Sequence, residues 1–247
     1  MPSKGGKIID EQTAAQLRAR FESEMVRPIE IFLLKGLGNE EYSEWTESLL
    51  LELEDLSEMI DVRVIDVKVD PEALEEFNVT RTPTILLDPR RGYKIRYMGA
   101  PLGYEAWAFV ETIILLSRDE SGLSERTKEI LSSVHQFTNL NDIDIHILTF
   151  VTPTCPYCPY QVLLANKFAI ELKGIIEADC IEAYENPDLA DSYQVSAVPH
   201  NVILLREDNN EVILDTSVGS QPEEKYAMDL LRSLRSKYGE RDTLNER

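Results

Sequence analysis

A chain of 247 residues with 45 acidic and 25 basic side chains carries a net charge of −20, which argues against nucleic acid and anionic membrane surfaces as partners. A hydrophobic content of 43% supports an ample core in one large or two ordinary domains, and no apolar run approaches the ~20 residues of a membrane span. Residues 1–7 lack the apolar core of a secretory signal, and three cysteines are an odd count for a disulfide framework, so the expected location is cytoplasmic.

In chain order, residues 10–25 read as an amphipathic helix with Ala14, Leu17, Phe21 and Met25 at helical spacing. Residues 29–34 read as a strand, 40–59 as a helix rich in Leu and Glu, and 62–69 as a second strand. A short helix over 70–77 opens on Pro71, which suits a first turn. Residues 84–87 and 95–98 then pair as a hairpin, and 104–116 close the set as a helix.

The same order returns. A helix over 124–137 precedes a strand over 143–151, a helix over 160–170 and a strand over 175–183. A short helix over 186–193 leads to strands over 201–205 and 211–215, joined by a turn over 207–210, and to a last helix over 223–238. A polar tail ends the chain. The register points to an internal duplication: Pro71 stands 12 residues before Pro83, and Pro187 stands 12 before Pro199. Phe77-Asn78-Val79-Thr80 also matches Tyr193-Gln194-Val195-Ser196 at an offset of 116. The expected architecture is α/β: two tandem units, 1–122 and 123–247, each a mixed central sheet flanked by helices, with the boundary near Ser121-Gly122.

The chemistry gathers at Cys155-Pro156-Tyr157-Cys158, between the strand over 143–151 and the helix after it. Free N–H groups and the positive end of a helix dipole favour a thiolate at the first cysteine. Cys158, about one turn further on, is placed to attack a mixed disulfide formed at Cys155. A zinc site is the competing use of C-x-x-C, but Cys180 is the one other cysteine, so four thiolates cannot be assembled within the chain. No G-x-G-x-x-G follows any strand, and no cofactor is expected.

The motif after a strand, with Val198-Pro199 downstream at the opening of another strand, resembles the thioredoxin fold. The resemblance implies a cis Pro199 facing the disulfide, with the backbone of Val198 binding an extended substrate strand. Two such units in one chain resemble the archaeal and bacterial protein disulfide oxidoreductases, sometimes called glutaredoxin-like. The most specific stretch is residues 150–159, supported by Lys167-Phe168-Ala169-Ile170-Glu171 and Val198-Pro199. Both units of that family often carry C-x-x-C. Here Glu40 and Ser43 occupy the corresponding places of the first unit, which therefore has no thiol. A plain helix start is the reading of that segment.

The layout also resembles the beginning of the flavoprotein component of alkyl hydroperoxide reductase, where two fused units, the second with C-x-x-C, pass electrons to a peroxidase. Cys-Pro-Tyr-Cys is in addition a glutaredoxin motif, but Ser217-Val218-Gly219-Ser220 stands where glutaredoxins usually carry a Gly-Gly pair.

Several further residues are candidates with two readings each. Thr149 stands where thioredoxins keep a buried Asp, so Glu182 is either a surface glutamate or the proton acceptor for Cys158. Cys180 is an inert core residue or a third thiol within reach. His200, next to Pro199, either turns toward the sulfurs as a cation favouring thiolate or turns away. Tyr157 is an exposed contact or a packing residue, His135 and His146 look structural, and Trp45 and Trp107 read as core or interface aromatics.

The expected function is a dithiol–disulfide oxidoreductase for protein substrates. Cys155, Cys158, Pro199 and Glu182 carry the chemistry, and Pro156, Tyr157, Val198 and His200 meet the substrate. Its rivals are an electron shuttle serving a peroxiredoxin and a non-redox docking scaffold. The acidic run Glu40, Glu41, Glu44 and Glu47 is expected to dock a partner, either a thioredoxin-reductase-like flavoprotein or a peroxiredoxin.

Overall fold

Eight strands, several of them continuous apolar runs such as Ile31-Phe32-Leu33-Leu34 and Val202-Ile203-Leu204-Leu205, build one mixed sheet in the order β2-β1-β3-β4-β6-β5-β7-β8. The computed structural model describes residues 7–207 and 210–239, so half of the expected 207–210 turn and the polar tail lie outside the described residues. The strands are β1 (Ile29–Lys35), β2 (Ile60–Asp66), β3 (Thr84–Leu87), β4 (Ile95–Met98), β5 (Asp144–Val151), β6 (Ile176–Glu182), β7 (His200–Glu207) and β8 (Asn210–Val218). The helices are α1 (Glu11–Glu24), α2 (Glu40–Glu54), α3 (Glu72–Glu76), α4 (Glu105–Arg118), α5 (Glu125–Asn141), α6 (Cys158–Glu171), α7 (Pro187–Ser192) and α8 (Glu223–Tyr238).

Two four-stranded halves with the same internal order meet edge to edge where β4 runs parallel to β6. Both halves repeat in backbone detail: Asn78 and Gln194 share a left-handed conformation (φ 50° and 53°), and Thr82-Pro83 and Val198-Pro199 are both cis. One face of the sheet, with Ile31, Leu33, Ile147, Ala178 and Leu205 pointing out of it, packs under residues of the six longer helices in one continuous core. The opposite face carries Phe32, Leu34 and Leu86 beside α3, and Leu148, Phe150, Ile181 and Val202 beside α7.

Some boundaries move for tertiary reasons. The helix expected over 40–59 ends at Glu54, because Ile60 must already pair with Ile29 and the intervening residues turn back through Ser57 N–H to the Glu54 carbonyl, 3.1 Å. The strand expected over 62–69 stops at Asp66, whose carboxylate accepts the Lys68 N–H at 2.9 Å and turns the chain. The cysteine helix begins two residues early, at Cys158 itself.

On the α3/α7 face, the join between the halves holds charges rather than oil. Arg96 on β4 pairs in register with Asp179 on β6 and forks onto its carboxylate at 2.6 and 2.7 Å. Arg96 also meets Glu177, while Arg206 bonds Glu177 at 2.9 Å and Glu211 at 2.6 Å. His146 completes the network through Nε2 to Asp179 at 2.8 Å and Nδ1 to Glu211 at 3.1 Å. His146, Glu177 and Asp179 could by spacing hold a metal, but both guanidinium groups already occupy the carboxylates.

Burial alone would lower the His146 pKa; the Asp179 carboxylate, then Glu211 and Glu177, outweigh it and raise the imidazole to about 9. A group raised on folding stabilises fully below its unfolded value near 6.5 and loses that contribution as pH climbs through about 9. Urea unfolding should therefore show stability falling by roughly 2–3 kcal/mol between about pH 7 and pH 10. His146→Gln should flatten that slope. An unchanged slope in the variant would mean His146 carries none of it.

Candidate functional site

The redox pair sits where β5 leaves the sheet and α6 begins. Cys155 and Cys158 are joined as a disulfide with Cα atoms 5.5 Å apart. The Cys155 N–H bonds the Thr152 carbonyl at 3.1 Å, closing the turn after Pro153, and the Cys158 N–H points at Cys155 Sγ from 3.2 Å. That N–H belongs to the first residue of α6, where the helix leaves donors unpaired, so it would serve a thiolate on Cys155 once the pair is reduced. Cys155 keeps 7% of its surface exposed and Cys158 none. An incoming sulfur can meet the first cysteine and not the second.

The cis Val198-Pro199 loop closes the other side, with the Val198 carbonyl oxygen 3.7 Å from Cys155 Sγ. This loop is tied to the end of β8, where the Gly219 N–H donates to the Pro199 carbonyl at 2.8 Å and Asn201 Nδ2 reaches the Gly219 carbonyl at 3.2 Å. Tyr157, between the cysteines, is 66% exposed.

His200 departs from the cationic alternative. It pairs with Phe150 in the β5–β7 ladder, its ring packs edge-on against the Phe150 ring at 6.1 Å, and both lie on the α7 face. Cys158 belongs to the core on the opposite face. Both His200 ring nitrogens lack a partner among the described residues, and burial lowers the pKa, so the ring stays neutral. A neutral ring supplies no positive charge for a thiolate, and the residue keeps 6% of its surface exposed. The reason is the strand's two-residue period, which sends the residue after Pro199 to the far side.

Glu182 is buried and shares the Cys180 face of β6. With Cys180 it lines a small cavity of about 10 Å3, room for roughly one water, whose walls include Val151 and Pro153 from the strand leading into the motif. Glu182 Oε2 accepts the Glu185 N–H at 2.6 Å, while Oε1 has no partner among the described residues. Two further carboxyls, which the sequence pattern does not single out, join it. Glu105, first residue of α4, is 2% exposed and lines the same cavity. Glu185 accepts the Ala100 N–H at 2.9 Å.

Among the described residues no ion pair reaches any of the three. Burial, then repulsion from Glu182, raises Glu105 to about 8; burial likewise raises Glu185 to about 8, and burial raises Glu182. Cys180 lies with its sulfur 4.0 Å from Glu105 Oε2, and burial followed by that carboxyl pushes its thiol well up. It is held as a thiol in the core rather than as a third nucleophile. Thr149, opposite Cys180 in the ladder, is buried with its hydroxyl unpartnered.

The corresponding place in the first half holds no sulfur. Glu40 is exposed and pairs with Lys68 at 3.5 Å, Ser43 is buried, and the Thr82 hydroxyl accepts the Leu37 N–H at 2.8 Å beside the cis Thr82-Pro83 bond. Trp107 is not a core residue: it is 43% exposed, and its ring rests on Tyr160 of α6 at 5.3 Å.

The fold and the cysteine turn together define a thioredoxin-fold chain with one redox-active disulfide. A thioredoxin-domain family model matches residues 143–231, and the thioredoxin of Methanocaldococcus jannaschii is 36% identical over 59 residues, 24% of this chain and 69% of that one. The likeness to a protein disulfide oxidoreductase of Aeropyrum pernix K1 runs through nearly everything, at 33% identity, 92% of this chain, 94% of that chain and a TM-score of 0.75. The chain belongs to the protein disulfide oxidoreductase family, with a thiol–disulfide redox role and with a single C-x-x-C, in its second half. The alkylhydroperoxide reductase protein AhpF of Enterococcus faecalis shares the fold at 19% identity, covering 90% of this chain and 99% of that one with a TM-score of 0.73. No helix among the described residues is long and apolar enough to cross a membrane.

Proposed function

We propose that the chain exchanges disulfides with protein substrates, Cys155 attacking and Cys158 resolving. The observation that carries this reading is the asymmetric access at the pair: Cys155 reaches the surface beside the Val198 carbonyl, and Cys158 is wholly buried at the helix start. In the reducing direction, the Cys155 thiolate attacks one sulfur of the substrate disulfide, that S–S bond breaks, and the departing substrate thiolate takes a proton. Cys158 then loses its proton and attacks Cys155 Sγ, releasing the second substrate thiolate. Two electrons pass to the substrate and the Cys155–Cys158 bond is formed.

The unpartnered Oε1 of Glu182 supports its role as acceptor of the Cys158 proton, with Glu105 next to it in the cavity. Pro156 stiffens the loop, Tyr157 is the exposed contact, and Val198-Pro199 presents the extended substrate strand. Residues 1–122 and 123–247 act as a thiol-free unit and a redox unit. The test is insulin reduction by the full-length chain, expected to be catalytic and lost with Cys155→Ser. Equal activity of that variant would overturn the reading.

The partner that docks on α2 is, in this proposal, a thioredoxin-reductase-like flavoprotein, which would return two electrons to the pair, or a peroxiredoxin, whose disulfide would take them. Glu40, Glu41 and Glu44 are exposed there and would steer a basic partner; Glu47 is spent on Lys35, 2.5 Å away. Changing the three to Gln together should cut turnover with the protein partner several-fold and remove its salt dependence, leaving reduction by dithiothreitol unchanged. A salt dependence identical to wild type would remove α2 as the docking face.

A further inference from the structure

Four exposed aromatic side chains form a surface that begins at the disulfide and ends in the other half of the molecule. Tyr157 lies between the two cysteines, and Tyr160, 59% exposed, follows in the first turn of α6. The Trp107 ring of α4 leans on Tyr160 at 5.3 Å. Tyr104, 55% exposed, precedes α4, and its N–H donates to the Pro153 carbonyl at 3.1 Å, two residues before Cys155. Gly103 makes that approach possible: its φ is +63°, and a Cβ there would collide with the Pro153 carbonyl oxygen. The aromatic face of the thiol-free half is thereby held against the redox loop.

We infer that the thiol-free half supplies one side of the substrate-docking surface, Tyr104 and Trp107, for an extended disulfide-bearing polypeptide with apolar side chains beside its cysteine. The inference rests on the thiol-exchange reading and names the substrate class for it. Continuity decides the occupant. Whatever brings a sulfur to Cys155 must cover Tyr157, and a chain extending from there toward α4 meets Tyr160 and then Trp107. A small disulfide ends before reaching them. Charge points the same way: the four rings carry none, and a net charge of −20 disfavours acidic segments. Broad, rigid aromatic side chains gain by burying apolar partners at little entropic cost.

Trp107 and Trp45 are the two tryptophans, which gives a direct readout. In a Cys158→Ser, Trp45→Phe protein, a mixed disulfide at Cys155 can be trapped by exchange with the disulfide-linked dimer of a single-cysteine decapeptide flanked by Leu or by Ser, one peptide thiol leaving, or with 2-hydroxyethyl disulfide. The Leu peptide should shift Trp107 emission to shorter wavelength, and neither the Ser peptide nor the small adduct should do so. In a second measurement, Trp107→Ala should lower by about tenfold the ratio of kcat/KM for the Leu-flanked peptide disulfide to that for 2-hydroxyethyl disulfide. An unshifted emission with the Leu peptide, or an unchanged ratio, overturns the docking surface while leaving thiol exchange intact. Failure of Cys155 to form any adduct, including the small one, removes the exchange reading and the surface with it.

Discussion

Cys155→Ser should lower insulin reduction by about 1,000-fold or more, because the hydroxyl cannot replace a thiolate as attacking group at neutral pH. Cys158→Ser should behave differently. Its Cys155 still attacks, so the enzyme should accumulate as a mixed disulfide that is visible by mass and is released by dithiothreitol. The order of reactivity follows from exposure and environment: in the reduced protein iodoacetamide should label Cys155 first and both Cys158 and Cys180 slowly, since Cys158 has no exposed surface and Cys180 is buried with its thiol pushed well up. Glu182→Gln adds a check on the proton path. Attack by Cys155 should proceed at its usual rate while resolution by Cys158 slows. Label appearing first on Cys158 would reverse the two roles, and full insulin reduction by Cys155→Ser would end the case for this pair altogether.

What could be read from the sequence was what is local. The cysteine turn, the helix after it and the two X–Pro pairs are fixed by neighbouring residues, and the matching runs at Phe77 and Tyr193 reach as far as matching left-handed residues at Asn78 and Gln194. What could not be read depends on strands far apart in the chain. The join of β4 to β6 makes one sheet of two, and nothing in Ile95-Arg96-Tyr97-Met98 announces its partner. The polar positions His146, Arg96 and Asp179 alternate with apolar ones, so each taken alone reads as solvent-facing; together they fill a buried seam. Glu105 hides for the same reason. An acid in the first turn of a helix ordinarily favours the dipole at the surface, and here the second half of the chain folds over it. The strand period, which places Glu182 with Cys180, also sends His200 to the far face, so one rule yields both the inward acid and the neutral histidine.

Arg96→Ala should be the most destabilising single change at that seam, costing about 3–5 kcal/mol. Asp179 is wholly buried and Glu177 nearly so, and removing the guanidinium leaves both carboxylates short of their main counterion. Burial raises the Asp179 pKa and Arg96, then His146, pull it far below the usual carboxylate range, so the arginine is what keeps this acid ionised in the core. Arg96 Nη1 also donates to the Asn78 carbonyl at 3.0 Å, at a left-handed residue, so the variant frees a backbone acceptor as well. Because Arg96 belongs to the first half and Asp179 to the second, the loss should loosen the halves from each other. Urea unfolding followed by circular dichroism should then broaden toward two steps where the wild type shows one. A paired apolar replacement, Arg96→Met with Asp179→Leu, should recover much of the stability, since it removes both buried charges instead of stranding one. A cost below about 1 kcal/mol for Arg96→Ala would show that water reaches the seam and that the strand pairing, not the ion network, holds the halves together.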